Sequence, residues 1–158
     1  MKKQRVPKRM VGRRELVDFP QFNIQGVEAK VDTGAYTSAI HCSNIHVERL
    51  PDGREILRVQ LLDDTHPNFN GRPMEFHEFG LRDIKSSNGE VQERYVIQTT
   101  IRLFNEEYLT EFSLSDRSDM KYPVLIGRVL LRSGRFVVDV ARRNLSAKFQ
   151  PAPNQARP

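Results

Sequence analysis

Sulfur is scarce in this chain and long apolar runs are missing. Cys42 is the one cysteine in 158 residues. No disulfide can close within the chain, and a lone thiol fits a reducing, cytoplasmic setting. No stretch of about 18 apolar residues exists to cross a membrane as a helix. The basic start lacks the apolar core of a secretory signal, so no membrane partner is expected. The His-Glu-x-x-His and Cys-x-x-Cys spacings of zinc sites are absent. So is the glycine-rich loop ending in lysine that holds nucleotide phosphates. On these grounds no cofactor is expected. Long amphipathic helices and internal repeats are also missing.

The remaining composition is that of a soluble globular protein, with 38% apolar and 28% charged residues. That is enough for one domain with a modest core. The net charge of +5 is unevenly placed. Lys2, Lys3, Arg5, Lys8, Arg9, Arg13 and Arg14 all precede the first acid, Glu15. Without those seven, 18 basic residues face 20 acidic ones, and the body is close to neutral. Such a start attracts nucleic acid, ribosomes or an acidic substrate, or is simply a solvated end. No aromatic residues are interleaved to stack on bases, so nucleic acid is not expected as a partner beyond this arm.

Strand signals recur along the chain. Residues 11–19, 38–48, 56–62, 94–104, 108–114, 124–126, 136–140 and 144–149 read as strands, several of them by apolar–polar alternation, and residues 22–31 as a hairpin or a strand bent around Gly26. Pro51-Asp52-Gly53-Arg54 marks a turn, and Asn88-Gly89 marks the tip of a hairpin over residues 84–91. Residues 66–73 and 115–121 read as loops. Residues 127–131 can form one or two helical turns. Many short strands at this spacing imply an all-β barrel or sandwich. The expected organisation is a basic flexible arm over 1–10, a single domain over 11–149 and a proline-containing tail over 150–158.

The chemistry concentrates in Lys30-Val31-Asp32-Thr33-Gly34-Ala35. A short β-prone run delivers Asp32 to a tight turn, Thr33 adds a hydroxyl, and Gly34 lets the backbone bend and a second backbone approach. Asp and Gly are also ordinary turn residues. Far downstream stands Leu125-Ile126-Gly127-Arg128-Val129-Leu130-Leu131. The two motifs in this order resemble the paired signature of retropepsin-type aspartic proteases, and the likeness covers about residues 12 to 140. More narrowly, the chain is similar to small bacterial proteins catalogued as ATP-dependent zinc proteases and found alongside RimK-type ligases.

The resemblance implies an acid-protease barrel with one short helix after the Leu-Ile-Gly-Arg corner. It implies a catalytic Asp32, a Thr33 hydroxyl that ties two active-site turns together, and a Gly34 carbonyl that meets substrate. Ala35, Tyr36 and the hairpin tip at Ser87, Asn88 and Gly89 fall where the family binds and covers substrate. Gly127 and Arg128 match its packing corner. Peptide hydrolysis of this kind needs two carboxylates sharing a proton, and the chain has one Asp-Thr-Gly. The second must come from Asp32 of another copy, so a homodimer is expected. A protein or peptide substrate follows, and the ligase association points to glutamate-tailed, polyglutamylated proteins. Lys30, Arg82 and Lys85 are candidates to attract such acidic chains. One departure stands out. Retropepsins usually carry an Asp four positions after the catalytic one, paired with the corner arginine, and here that position is Tyr36.

Two other functions compete with the peptidase. One is a binding module that keeps the barrel without the activity. The other is a zinc-dependent protease, for which His41, Cys42 and His46 are the candidate ligands. On a strand, His41 would point away from both Cys42 and His46.

Overall fold

The computed structural model describes residues 7–64, 66, 69, 71–85, 88–117 and 121–150. Among them are eleven strands. In chain order these are β1 (Arg9–Val11), β2 (Arg14–Phe19), β3 (Ile24–Val31), β4 (Ser38–Arg49), β5 (Glu55–Leu61), β6 (Met74–Phe76), β7 (Gly80–Lys85), β8 (Val91–Leu103), β9 (Glu106–Ser115), β10 (Val124–Ile126) and β11 (Phe136–Val138). One helix, α1 (Arg128–Ser133), follows β10.

Alternation explains the strands. In β3, Ile24, Val27, Ala29 and Val31 are buried while Gln25, Glu28 and Lys30 face out. The spacing from Ile24 to Val27 is three, and a bulge restores the period. Val17 pairs with Val27 and Phe19 with Ile24, so Asp18 stands opposite both Gln25 and Gly26. Gly26 takes φ +67°, and its N–H donates to Asp18 Oδ1 at 2.8 Å. A glycine suits this left-handed position, and the slip keeps both apolar neighbours inside.

The main sheet closes on itself. Its path runs β10-β3-β2-β8-β9-β4, and β4 pairs again with β10. The strands β5, β6 and β7 extend the ring at β4 and β8. The fold is thus all-β with one helix, a retropepsin-like barrel. Phe19 and Phe112, both fully buried, meet edge to face at 5.3 Å in its core. Leu130 and Leu131 of α1 are buried with them.

Three stretches differ from their sequence reading. Residues 11–19 form two strands rather than one, because the chain breaks at Gly12. A Cβ there would lie 2.4 Å from the carbonyl oxygen of Arg142, where the C-terminal segment crosses. Arg9 and Met10, read as part of the arm, belong to β1, which pairs in parallel with β11. Residues 144–149 form turns and a short 3₁₀ segment, not a strand. The cause is Glu15, which is fully buried. Its Oε2 accepts the Gly12 N–H at 2.7 Å, and its Oε1 accepts both the N–H and the hydroxyl of Ser146 at 2.8 Å. A buried carboxylate needs such donors, and it draws the late segment into a turn with Asn144 at φ +55°.

Candidate active site

Asp32 stands at the end of β3 on a turn clamped from below. β10 lies parallel to β3 and antiparallel to β4, wedged between them. The Asp32 N–H donates to the Ile126 carbonyl at 2.9 Å, which fixes the backbone at the carboxylate. Asp32 Oδ1 accepts the Gly34 N–H at 2.9 Å. Gly34 presses against this oxygen, since a Cβ at that position would sit 3.1 Å from it. The Ala35 N–H closes the turn onto the Asp32 carbonyl at 3.2 Å. Asp32 is half-buried and Thr33 and Gly34 are exposed. Among the described residues no hydrogen bond engages Asp32 Oδ2.

The Gly127-Arg128 corner packs directly behind this turn. The Arg128 and Val129 N–H groups donate to the carbonyls of Ala35 and Tyr36 at 2.8 and 3.1 Å. The Gly127 N–H reaches the buried Ser38 hydroxyl at 3.0 Å. A Cβ at Gly127 would lie 2.9 Å from backbone atoms of Tyr36 and Thr37, so only glycine lets the two segments meet. The Arg128 guanidinium donates to the Thr33 carbonyl at 2.9 Å and lies 5.8 Å from the centre of the Tyr36 ring. Tyr36 therefore still meets the corner arginine, offering a π face where the family usually has a carboxylate.

The β7–β8 hairpin rises nearby, paired as far as Lys85 opposite Val91. At its tip Asn88 Oδ1 accepts the Glu90 N–H at 3.0 Å, and Gly89 takes φ +89°. Ser87 lies outside the described residues. Arg82 on β7 grips the Glu111 carboxylate through Nε and Nη2 at 3.0–3.2 Å. These bonds to Glu111 raise its pKa. A groove of about 480 Å³ lies at this base, between Phe79, Arg82, Ile97 and Glu111. Lys30 and Lys85 are exposed on their strands.

The candidate zinc ligands do not converge. His41 is buried, its Nε2 lies 2.7 Å from Asp63 Oδ2, and its Nδ1 accepts the Arg117 N–H at 2.7 Å. An accepting Nδ1 leaves the proton on Nε2, so the ring bridges two loops as a neutral clasp. The Cys42 thiol is sealed in the core beside the Ser115 carbonyl, and burial pushes its pKa up to about 12. His46 is exposed, its Nδ1 near the Asn44 carbonyl. Among the described residues no three His, Cys, Asp or Glu side chains gather as a metal site.

Sequence reasoning overlooked a second groove, of about 390 Å³, that begins at Thr33. Lys8, Arg128, Arg132 and Arg135 line it above an apolar floor. The spacing of Arg128 and Arg132, four apart at the start of a helix, was a readable sign of one basic face.

Comparisons with known proteins show the family and the fold. A family model described as RimB-like, the retropepsin-like aspartic endopeptidase RimB, matches residues 10–149. Two proteins named as probable alpha-L-glutamate ligases contain a similar stretch. That of Shewanella halifaxensis is 35% identical over 134 residues, covering 82% of this chain and 28% of the ligase. That of Desulfotalea psychrophila is 32% identical over 142 residues, covering 87% and 29%. The chain thus spans under a third of the curated relatives it matches. A crystal structure of a Legionella pneumophila protein of unknown function shares the fold. Its TM-score is 0.63 at 23% identity, over 87% of this chain and 97% of that one. No helix among the described residues is long and apolar enough to cross a membrane.

Proposed function

The chain belongs to the RimB-like family of retropepsin-like aspartic endopeptidases, and from that premise we propose that it hydrolyses peptide bonds as a homodimer with one Asp32 from each copy. The observation that carries this reading is the Asp32 turn: a half-buried carboxylate, one oxygen held by the Gly34 N–H and the other open, on a backbone pinned to Ile126. Two such carboxylates across a two-fold axis cannot both ionise when about 3 Å apart. The ionised one draws a proton from water as that water attacks the scissile carbonyl. The protonated one donates to the carbonyl oxygen. The pair then titrates as a unit. In this reading the Thr33 hydroxyl meets its counterpart across the two-fold axis, and Gly34, Ala35, Tyr36, Asn88 and Gly89 serve as the substrate walls.

The substrate class we propose is a protein carrying a run of glutamates. The similar stretch inside proteins named as glutamate ligases supports it, since an enzyme that trims such tails suits a partner that adds them. A cytoplasmic setting goes with that pairing. A second reading, a module that binds acidic tails without cutting them, draws on the cationic groove beside Thr33.

The deciding experiment is cleavage of a glutamate-tailed protein by the wild type and by Asp32→Asn, each with and without a strong chelator. We expect activity that survives the chelator, vanishes in Asp32→Asn and rises more than linearly with enzyme concentration near the dimer constant. Equal cleavage by both proteins would refute the two-aspartate mechanism. Binding without cleavage would favour the module.

A further inference from the structure

We infer that the groove lined by Lys8, Arg128, Arg132 and Arg135 receives a carboxylate-rich segment of the substrate polypeptide and sets its register relative to Asp32. This inference rests on the peptidase reading and deepens it by assigning residues to substrate selection.

The groove is built from three places in the chain. Arg128 and Arg132 share a face of α1 by their spacing of four. Arg135 follows just beyond the helix at φ +53°, a left-handed turn that non-glycine residues rarely adopt. Lys8 is delivered by the pairing of β1 with β11, where the Arg9 N–H donates to the Arg135 carbonyl at 3.2 Å. A body close to neutral thus concentrates four cations at one end of its aspartate turn.

These cations are uncompensated. Arg9, Arg54, Arg58, Arg82 and Arg102 each reach a carboxylate. Among the described residues, Lys8, Arg128, Arg132 and Arg135 form no ion pair, and no acidic side chain lines the groove. The floor, which includes Leu131 and Phe136, is apolar. Anionic side chains with methylene stems match both features, with stems on the floor and carboxylates at the guanidinium forks. Arg128 also donates to the Thr33 carbonyl, so the groove opens one residue from the proposed catalytic carboxylate.

A peptide fits better than a nucleic acid. Base binding relies on open aromatic faces. The ring that lines this groove, Phe136, is already packed against Phe104 and Tyr108 at 6.3 and 5.6 Å.

The test separates binding from catalysis. Fluorescence anisotropy of a labelled oligoglutamate would be measured with Asp32→Asn, and with Asp32→Asn carrying Arg132→Glu and Arg135→Glu. Arg132→Glu would also be tested alone, since Arg132 is exposed and Arg135 is partly buried. We expect the reversals to weaken binding about 10-fold or more, a loss of about 1.4 kcal/mol. Binding should fall with added salt, and oligoglutamine should not bind. In the enzyme with Asp32 intact, Arg132→Glu should raise KM for the tailed protein. Unchanged affinity and KM in folded variants would overturn the groove while leaving the peptidase reading intact. Arginine-dependent binding without any cleavage by the wild type would do the reverse. Equal competition by an oligonucleotide at matched charge would also overturn it, as the mark of a general polyanion site.

Discussion

Two carboxylates at the same end of the β2–β3 pair, Glu15 opposite Ala29 and Asp32 just past Val31, show how differently one barrel can use the same group. Glu15 is sealed from solvent and accepts three hydrogen bonds, from Gly12 and twice from Ser146. Asp32 is half-exposed and accepts one, from Gly34. Glu15 is saturated by the fold, and its place is explained by what it holds together. Asp32 is held by its backbone instead, which leaves side-chain capacity for something outside the chain. The difference separates a carboxylate that makes structure from one that is presented by it.

Exchanging the two roles should fail in opposite ways. Asp32→Asn should lower cleavage by about 1,000-fold or more, yet change unfolding free energy by less than about 0.5 kcal/mol, because the amide oxygen can still accept the Gly34 N–H. Paired rate and thermal-melt measurements check this, and a large stability loss would erase the contrast. Glu15→Ala should do the reverse. Buried donors at Gly12 and Ser146 lose their acceptor, at a cost of about 3 kcal/mol or more. That corresponds to a melting point lower by about 6–12 °C for a chain this long.

Smaller substitutions sharpen the comparison. Gly127→Ala forces a methyl against the Tyr36 and Thr37 backbone and should cost about 1–3 kcal/mol while also displacing the aspartate turn. It is the one substitution here expected to harm stability and rate together. Arg128→Lys keeps the charge but loses the planar fork that joins the Thr33 carbonyl to the Tyr36 face. A fall of about 10-fold in kcat/KM with the melting point held would assign that residue to the site's geometry. The mildest case is Cys42. With its thiol pushed up to about 12, it should resist alkylation at pH 8 until the protein unfolds. Because the folded pKa exceeds the unfolded one, its stabilising contribution is whole below about pH 9 and is lost as pH rises toward 12. Denaturant midpoints of wild type and Cys42→Ala across that range measure the term by difference.

Local chemistry was readable in the sequence, and distant pairing was not. Asn88-Gly89 announced its hairpin because a turn's demands fall on its own residues. The Asp32 turn and the helical start after Gly127 were visible for the same reason. Residues 144–149 misled because their conformation answers to Glu15, 131 residues away from Ser146. The break at Gly12 likewise depends on Arg142 crossing it. Half of the basic groove was legible as a helical spacing. Lys8 joins it through the β1–β11 pairing, which no local pattern announces.

The Glu15–Ser146 clasp also has a consequence for timing. Protein synthesis delivers Ser146 131 residues after Glu15. Until the later residue leaves the ribosome, the carboxylate lacks two of its three donors and stays better solvated by water than by protein. The ring of strands can close through β10 during translation, but the clasp on Glu15 cannot form until residue 146 has emerged. Arg9 and Phe149 then both come to rest on the ring of Phe104. A nascent chain stalled before residue 146 would hold all eleven strands in sequence without the Ser146 donors that seal Glu15. The order of synthesis thus places the sealing of Glu15 after the clamp that Ile126 sets on Asp32.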